Sequence, residues 1–204
     1  VFPYSEDVKQ YTYDIEKAKE LLKEAGYEGG GFSLKLTYAS ENSTEETFAP
    51  LIKDSFAQIG VDVTIEALEF TQQWELAKAD PTSADAQDIF LLLYWPTYSD
   101  AGADNMWSMF YAGAEAPYLN ATKFNLSYWK NDQYNALVDE AGGLSGTDTA
   151  ASLAKYTEAQ NLLVEEAPAA FLFDTMVAFV NPNHVEGFKY NLKPESCGRF
   201  QIQL

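Results

Sequence analysis

Two hydrophobic patterns alternate along this chain, and their order predicts an α/β fold. Between Asp14, a residue type favoured as a helix N-cap, and Gly26, a frequent helix terminator, the apolar residues share one helical face: Ala18, Leu21, Leu22 and Ala25. Residues 33–38 and 61–66 alternate instead between apolar and polar side chains. This alternation predicts two strands, each with one buried face.

The segment between these strands predicts a helix, with two conflicting signals. Ser43 and Glu46 have the spacing of a capping box, which places the start of the helix there. Pro50 lies inside the same pattern, and a proline removes one helical hydrogen bond and clashes with the preceding turn. The sequence therefore predicts a helix that either kinks at Pro50 or begins later than the capping box.

Residues 88–107 hold the most distinctive pattern in the chain. The run 89–95 is apolar without alternation, which predicts a central strand covered on both faces. Aromatic rings and short polar groups follow it directly. Ligands of open α/β sheets lie outside the carboxyl ends of central strands, so this exit is the predicted ligand site. The alternative is that Tyr94, Trp95 and Tyr98 fill the core and its rim.

The second half of the chain predicts two more helices, followed by one or two strands. One helix is capped by Asp132 and stopped by Gly142–Gly143, and the next begins at Thr147 or Asp148. Residues 169–180 are nearly all apolar and predict one bent strand or two short ones. The tail predicts only side chains that dock on the rest, namely Phe188, Tyr190, Phe200 and Ile202.

Composition and charge narrow the class of protein. With 204 residues, 47% of them hydrophobic, and no linker or internal repeat, residues 1–204 are predicted to form a single α/β unit. The formal net charge of -18 argues against nucleic acid and anionic membranes as partners, because both repel an acidic surface. No stretch approaches the apolar length that crosses a bilayer, and the N-terminus lacks a signal-peptide pattern.

Residues that carry catalysis or bind metals are sparse. His184 is the only histidine and lies in a turn sequence, and Cys197 is the only cysteine and has no neighbouring base. The acidic pairs are interpreted as solvated charges on helix faces, since adjacent helical residues do not converge on one point: Glu45–Glu46, Asp139–Glu140 and Glu165–Glu166. The sequence thus predicts no enzyme, no cofactor and no metal site.

The first predicted helix carries a longer motif. Residues 13–27 read YDIEKAKELLKEAGY. This resembles Tyr-Asp-Pro-Glu-Lys-Ala-Lys-x-Leu-Leu-x-Glu-Ala-Gly-Tyr, which opens the C-terminal lobe of family 5 extracellular solute-binding proteins, the receptors of ABC importers for peptides, nickel and oligosaccharides. Ile15 replaces the usual proline. The similarity continues through residues 59–63, like the family's Ile-Gly-Ile-x-Val, and through residues 88–107 and Ala167–Pro168.

The resemblance implies a fold class and a way of working. The implied fold is a type II periplasmic-binding-protein-like C-terminal lobe, with a mixed, mostly parallel β-sheet flanked by helices. Such a lobe closes over a small-molecule or oligomeric solute together with an N-terminal lobe of the same protein, and the receptor delivers the solute to the membrane permease of an ABC importer. The implied location is extracytoplasmic, either periplasmic or as a membrane-anchored lipoprotein.

The resemblance also bears on the ligand, because the chain departs from the family at the strand exit. Peptide-binding relatives leave the central strand through Trp-x-Ala-Asp-Tyr, whose aspartate holds the peptide's α-ammonium group. Residues 94–98 here read YWPTY, so the neutral hydroxyl of Thr97 stands where that carboxylate would be. Asp100 or Asp104 compensates if the loop bends back. Otherwise, aromatic rings beside neutral groups suit an oligosaccharide better than an oligopeptide.

The helix before the central strand adds two aromatic candidates. Thr71 is its predicted N-cap. Phe70 and Trp74 match positions that line the pocket in the family, whereas their spacing alone also fits a helix-to-sheet contact. The predicted ligand-binding residues are Phe70, Trp74, Tyr94, Trp95, Thr97, Tyr98 and Asp100.

Two functions of other classes are also compatible with the sequence. Some cytoplasmic transcription regulators carry this receptor-like module behind a DNA-binding domain. An upstream helix-turn-helix would support regulation, and a signal peptide or lipoprotein cysteine would support transport. A sugar hydrolase also uses aromatic platforms, although no carboxylate pair can be placed in the aromatic loop.

Overall fold

A mixed sheet organises the part of the chain that the structure describes. The structure is a computed structural model and describes residues 5–84, 86–94, 102–115, 124–174 and 199–203. Its strands are β1 (Ser33–Ala39), β2 (Asp62–Leu68), β3 (Ile89–Tyr94), β4 (Ala169–Asp174) and β5 (Arg199–Gln203). Its α-helices are α1 (Ile15–Glu24), α2 (Ser43–Ala57), α3 (Phe70–Ala77), α4 (Ser108–Phe110), α5 (Asp132–Leu144) and α6 (Thr149–Glu166). A π-helical segment, Gly102–Trp107, runs directly into α4.

The strand order across the sheet is β2-β1-β3-β5-β4. β1 pairs in parallel with β2 on one side and with β3 on the other. From β1 the chain first moves to β2 on one side, and it then returns to β3 on the other side of β1. The border between β1 and β3 is therefore a switch point of the kind where open α/β sheets bind ligands. β5 is antiparallel to both β3 and β4, so β4 points in the same direction as the first three strands.

β5 corrects the prediction for the tail. Phe200 and Ile202 are not merely docking side chains, because they belong to a strand that pairs with β3 opposite Leu93 and Leu91. The strand lies between β3 and β4 rather than at an edge of the sheet. Five residues of mixed polarity give little local signal, and long-range pairing decides their structure.

β3 is buried on both faces, as its unbroken apolar run predicts. Phe90 and Leu92 belong to a core with side chains of α5 and α6, whereas Ile89 and Leu91 belong to a second core beneath α2. The strand therefore separates the two hydrophobic cores of the described residues. This position at the centre of the sheet confirms the predicted central strand.

Several helix starts follow the predicted caps, with shifts of one residue. Asp14 caps α1 by accepting from the Lys17 N–H at 2.9 Å. Asp148 caps α6 in the same way. At α5, however, the cap is Asn131 rather than Asp132. All of these side chains can accept from a free helical N–H. The sequence therefore limits the first residue of each helix to a few positions but does not determine which one it is.

Two predicted helix starts are wrong. Asn42, not Ser43, caps α2, with its Oδ1 accepting from the Thr44 and Glu45 N–H groups. α2 then runs without interruption past Pro50, so the predicted later start does not occur. At α3 the N-cap residue is Glu69 rather than Thr71, and no side chain of its own caps the helix.

α5 passes through the glycine pair that was predicted to stop it. The helix includes Gly142–Gly143 and ends at Leu144. Ser152 of α6 donates a hydrogen bond to the Ala141 carbonyl at 2.8 Å, and a Cβ placed on Gly142 would lie 3.9 Å from the Tyr156 hydroxyl. Packing between α5 and α6 therefore outweighs the low helix propensity of glycine.

α1 forms where the sequence predicts it, but the described residues do not bury its apolar face. Leu21 is 52% exposed, and no residue of α1 is buried. The helix ends before Gly26, whose φ of +87° suits glycine. Among the described residues, capping and amphipathic spacing thus determine a helix whose apolar face is at most partly buried.

Candidate functional site

β1 and β3 separate at their carboxyl ends. Their parallel pairing consists of Leu36↔Ile89 and Thr37↔Phe90. Farther along, backbone groups of both strands bond to side chains from helices instead of to each other. This stretch, called the β1/β3 split below, coincides with the switch point of the sheet.

Gln73 of α3 joins the two strands at the start of the split. Its Nε2 donates to the Thr37 carbonyl at 3.0 Å and to the Leu91 carbonyl at 3.1 Å. Thr37 is itself fully buried, so β1 is covered on both faces here, not on one as its alternation predicts. The Oε1 of Gln73 is also buried and has no hydrogen-bond partner among the described residues.

Glu45 of α2 joins the same strands farther along. Its Oε2 accepts from the Ala39 N–H at 2.9 Å, and its Oε1 accepts from the Leu93 N–H at 2.8 Å and from the Asn42 amide at 2.9 Å. Glu45 is only 1% exposed. A carboxylate from α2 thus replaces the backbone acceptors that the separated strands lack.

The buried position of Glu45 contradicts its interpretation as half of a solvated pair. Glu46 is exposed, as expected, but Glu45 faces the sheet. The reason is the helix start, because Asn42 as N-cap places Glu45 at the third helical position. From that position its side chain reaches both the cap residue and the strand ends.

A cavity of about 420 Å³ opens at the carboxyl end of the split. It is lined by two carboxylates, an aromatic ring, two neutral polar side chains and two aliphatic ones: Ala39, Glu41, Asn42, Ser43, Glu45, Phe70 and Leu93. Both Glu41 carboxylate oxygens lie 3.2 Å from the Phe70 N–H, so this side chain caps the start of α3. The cavity is within the size range of small-molecule sites.

The structure separates the two aromatic candidates of α3. Phe70 is 40% exposed and lines the cavity. Trp74 packs against Phe90 of β3 and against Phe124, with ring centroids 5.8 Å and 5.3 Å apart. Trp74 therefore makes a helix-to-sheet contact. It also lies beside Phe70, at 5.7 Å between ring centroids, so it supports the ring that faces the cavity.

The other predicted ligand-binding residues follow directly on β3. The backbone of Tyr94 ends the strand. Trp95, Thr97, Tyr98 and Asp100 lie outside the described residues. The cavity therefore lies next to the strand exit that the sequence predicts as the site.

Sequence reasoning missed the polar residues of the split. Glu41 lies in the turn before α2, Glu45 lies in the first turn of α2, and Gln73 lies in α3. The spacing Asn42-x-x-Glu45 was an available signal, since it has the form of a capping box one residue earlier than the predicted one. Nothing local distinguishes Gln73, because its partners are backbone carbonyls of two strands.

Burial raises the pKa of Glu45 above its ordinary value of 4.5, although the N–H groups of Ala39 and Leu93 and the Asn42 amide oppose the shift. The unfolded chain therefore releases this proton at a lower pH than the native protein does. As pH rises through a window that begins near 4.5, ionisation of Glu45 favours unfolding.

This pH effect is measurable against the Glu45→Gln variant, which cannot titrate at this position. We expect the unfolding free energy of the wild type, minus that of the variant, to fall as pH rises from about 4.5 and to level off above the native pKa. Urea denaturation at a series of pH values gives the difference. A difference that is constant or grows with pH would contradict the shift.

The fold and the split define a class of protein, an α/β ligand-binding unit whose cavity lies at a switch point. Residues 1–136 match the family model described as bacterial extracellular solute-binding proteins, family 5 middle. The chain belongs to this family. The glutathione-binding protein GsiB of Pectobacterium atrosepticum is 29% identical over 185 residues, and the heme-binding protein A of Haemophilus influenzae is 29% identical over 171 residues.

These matches cover most of this chain and a minor part of the relatives. They include 91% of this chain and 34% of the glutathione-binding protein, and 82% of this chain and 29% of the heme-binding protein. The chain thus spans about a third of the length of the relatives it matches. The relatives are solute-binding receptors of ABC importers rather than enzymes.

Solved structures of type II periplasmic binding proteins share the fold. The periplasmic binding protein DppA of Helicobacter pylori, in complex with the peptide STSA, has a TM-score of 0.66 and 29% identity over 82% of this chain and 30% of its own. NikZ of Campylobacter jejuni, in complex with Ni(L-His), also has a TM-score of 0.66, at 20% identity over 82% of this chain and 33% of its own. The second likeness concerns the fold alone. Together they confirm the predicted fold class.

The described residues contain neither a membrane-spanning helix nor a metal-binding cluster. None of the helices there is both long and apolar enough to cross a membrane. No group of three or more histidine, cysteine, aspartate or glutamate side chains in the same residues is arranged to hold a metal ion.

Proposed function

We propose that this chain is the C-terminal lobe of a receptor for an ABC importer, and that it binds one side of a solute in the cavity at the β1/β3 split. The remainder of the site would come from an N-terminal lobe of the same protein, which closes over the solute. The receptor then delivers the solute to a membrane permease. The lobe performs no chemistry on the solute, and the receptor works outside the cytoplasm, in the periplasm or anchored as a lipoprotein.

The observation that carries this proposal is the position of the cavity. It lies at the carboxyl ends of β1 and β3, where the chain reverses its progress across the sheet. The cavity is open, and one wall includes Leu93 of β3, shortly before Trp95, Thr97, Tyr98 and Asp100 in the sequence. An open half-site of this kind suits a ligand that a second lobe covers.

An oligopeptide is the first candidate for the solute, and an oligosaccharide is the second. The relatives include a glutathione-binding protein and a binding protein in complex with the peptide STSA, which favours peptide-type solutes. Thr97 at the strand exit lacks the charge that peptide-binding relatives use there. A neutral oligosaccharide is therefore the second candidate. Phe70, which Trp74 supports from behind, suits either solute, since an aromatic ring packs against apolar side chains and against the C–H face of a sugar.

The proposal predicts that binding needs more than this lobe. We expect the full-length receptor to bind its solute at least about a hundredfold more tightly than residues 1–204 alone, because closure buries the solute on both sides. Titration calorimetry with tetrapeptide and oligosaccharide pools, on both proteins, measures the ratio. Equal affinities would contradict a shared cleft.

A further inference from the structure

The β1/β3 split interrupts a ladder that the strand register would allow to continue. The backbone of Lys35 faces β3, because its carbonyl accepts from the Asp88 N–H, and alternate residues of a strand face the same neighbour. Ala39 therefore faces β3 as well. With the observed register extended by two residues, its N–H would donate to the Leu91 carbonyl, and its carbonyl would accept from the Leu93 N–H. The strands stop pairing before this step.

Two side chains take the backbone groups that this step would pair. Glu45 accepts from the N–H groups of Ala39 and Leu93 at 2.9 and 2.8 Å. Gln73 donates to the Leu91 carbonyl at 3.1 Å. The carboxylate therefore takes both donors of the missing step, and the amide takes one of its two acceptors. The Ala39 N–H and the Leu91 carbonyl, which would otherwise bond to each other, are held by different side chains.

These two side chains reach the split from opposite faces of the sheet. α2 contributes Ile52 to the core on the Leu91 face of β3, whereas α3 contributes Ala77 to the core on the Phe90 face. The carboxylate from α2 bonds to both strands, and so does the amide from α3. The two strand ends are thus fixed to the helices instead of to each other.

This arrangement is more costly than a continued ladder. Glu45 is buried and takes no part in the ion pairs found within the described residues. Gln73 is fully buried, and its Oε1 lacks a donor in the same part of the chain. A ladder would satisfy the backbone groups without burying a carboxylate or leaving an acceptor unsatisfied. Backbone hydrogen bonding alone therefore does not explain the split.

The cavity gives a reason for the separation of the strands. Ala39 and Leu93, the two separated strand ends, line it together with Glu45. Gln73 does not line it and holds the same strands from the other face. Paired strands lie only about 4.8 Å apart. If β1 and β3 paired through this step, the wall of the cavity would close.

We propose that Glu45 and Gln73 are positioning residues that hold β1 and β3 apart and thereby keep the solute cavity open. The use of the cavity rests on the proposed function, whereas the competition between these side chains and the ladder does not. Removing one side chain leaves the other bonded to both strands, so the ladder stays open. Removing both frees the Ala39 N–H and the Leu91 carbonyl to pair.

The first test measures hydrogen exchange of the Ala39 and Leu93 amides in the full-length receptor. In Glu45→Ala, both amides lose their acceptor while Gln73 still holds the Leu91 carbonyl, so we expect faster exchange than in the wild type. In the double variant, Glu45→Ala with Gln73→Ala, that carbonyl is free. We expect exchange of both amides to slow again, by at least about tenfold relative to Glu45→Ala.

Glu45→Ala with Gln72→Ala is the matched control for the double variant. Gln72 is the same residue type at the adjacent position of α3, and it is exposed. This control should exchange as fast as Glu45→Ala alone. A crystal structure of the double variant gives a second measurement, with the Ala39 nitrogen expected about 2.9 Å from the Leu91 oxygen.

The second test concerns the cavity and uses titration calorimetry with the tetrapeptide and oligosaccharide pools. Glu45→Ala and the double variant both lack the Glu45 carboxylate. A difference in affinity between them therefore reports closure of the ladder and not the loss of a contact from this carboxylate. For a pool that the wild type binds, we expect the double variant to bind at least about tenfold more weakly than Glu45→Ala does.

The outcomes separate this inference from the proposed function. Exchange in the double variant as fast as in Glu45→Ala would overturn the inference, because the ladder would not have closed. Equal affinities of the two variants despite slowed exchange would overturn the link between the split and the cavity. If neither pool binds to the wild type, the proposed function is contradicted, and the exchange rates still decide whether the two side chains hold the strands apart.

Discussion

Replacing Glu45 by alanine is expected to lower the free energy of unfolding by about 2 to 5 kcal/mol. The change removes the acceptor for the Ala39 and Leu93 N–H groups, which sit where β1 and β3 no longer pair. Each donor left unsatisfied in the interior costs free energy, and pairing between β1 and β3 does not extend to these two N–H groups. Urea denaturation of the wild type and the variant measures the loss.

Glu46→Ala is the matched control for this experiment. It deletes the same side chain from the next position of α2, where the residue is exposed. A surface change of this kind is expected to shift the unfolding free energy by no more than about 0.5 kcal/mol. If the two variants lose the same amount, Glu45 does not hold the strands, and the structural account of the split is wrong.

Gly60→Ala is expected to destabilise the fold by about 3 kcal/mol or more. Gly60 has a φ of +79°, and a Cβ there would lie 2.1 Å from the Gly29 carbonyl oxygen. That contact requires the turn before β1 and the turn before β2 to move apart. The movement strains the hydrogen bond from the Gly31 N–H to the Gly60 carbonyl, which is 2.9 Å long.

Gly29→Ala separates the cost of the positive φ angle from the cost of the steric clash. Its φ of +81° carries a similar conformational penalty, but a Cβ at Gly29 meets no atom within 4 Å. We therefore expect Gly29→Ala to lose only about 1 to 2 kcal/mol, well below the loss for Gly60→Ala. Thermal and urea unfolding of both variants give the comparison. Equal losses would mean that the close approach of the two turns does not stabilise the fold.

The elements with strong local signals were predictable. α1 and α6 begin at the caps that the sequence indicates, because a single acceptor side chain satisfies the first free N–H groups. β3 was recognisable because a strand between two cores needs apolar residues on both faces. The family motif then supplied the fold class, which local patterns alone do not give.

The polar framework of the site was not predictable in the same way. Glu45 was assigned to solvent together with Glu46 as a charge on a helix face, and only its spacing from Asn42 indicated another position. Its burial depends on a helix that starts one residue earlier, at Asn42, and on two strands that separate above it. Gln73 depends on the same separation, because its partners Thr37 and Leu91 lie 36 and 18 positions away in the chain and come within its reach only through their place in the sheet.

The sequence by itself determined the helices with clear caps, the central strand and the family of the protein. Hydrophobic spacing and capping act between residues that are close in the chain, so they can be read from order alone. Only the tertiary structure decided that β5 enters the middle of the sheet, that β1 and β3 separate, and that Glu45 and Gln73 satisfy their free ends. These features arise where distant segments compete for the same backbone hydrogen bonds, and the outcome depends on which groups the fold brings together.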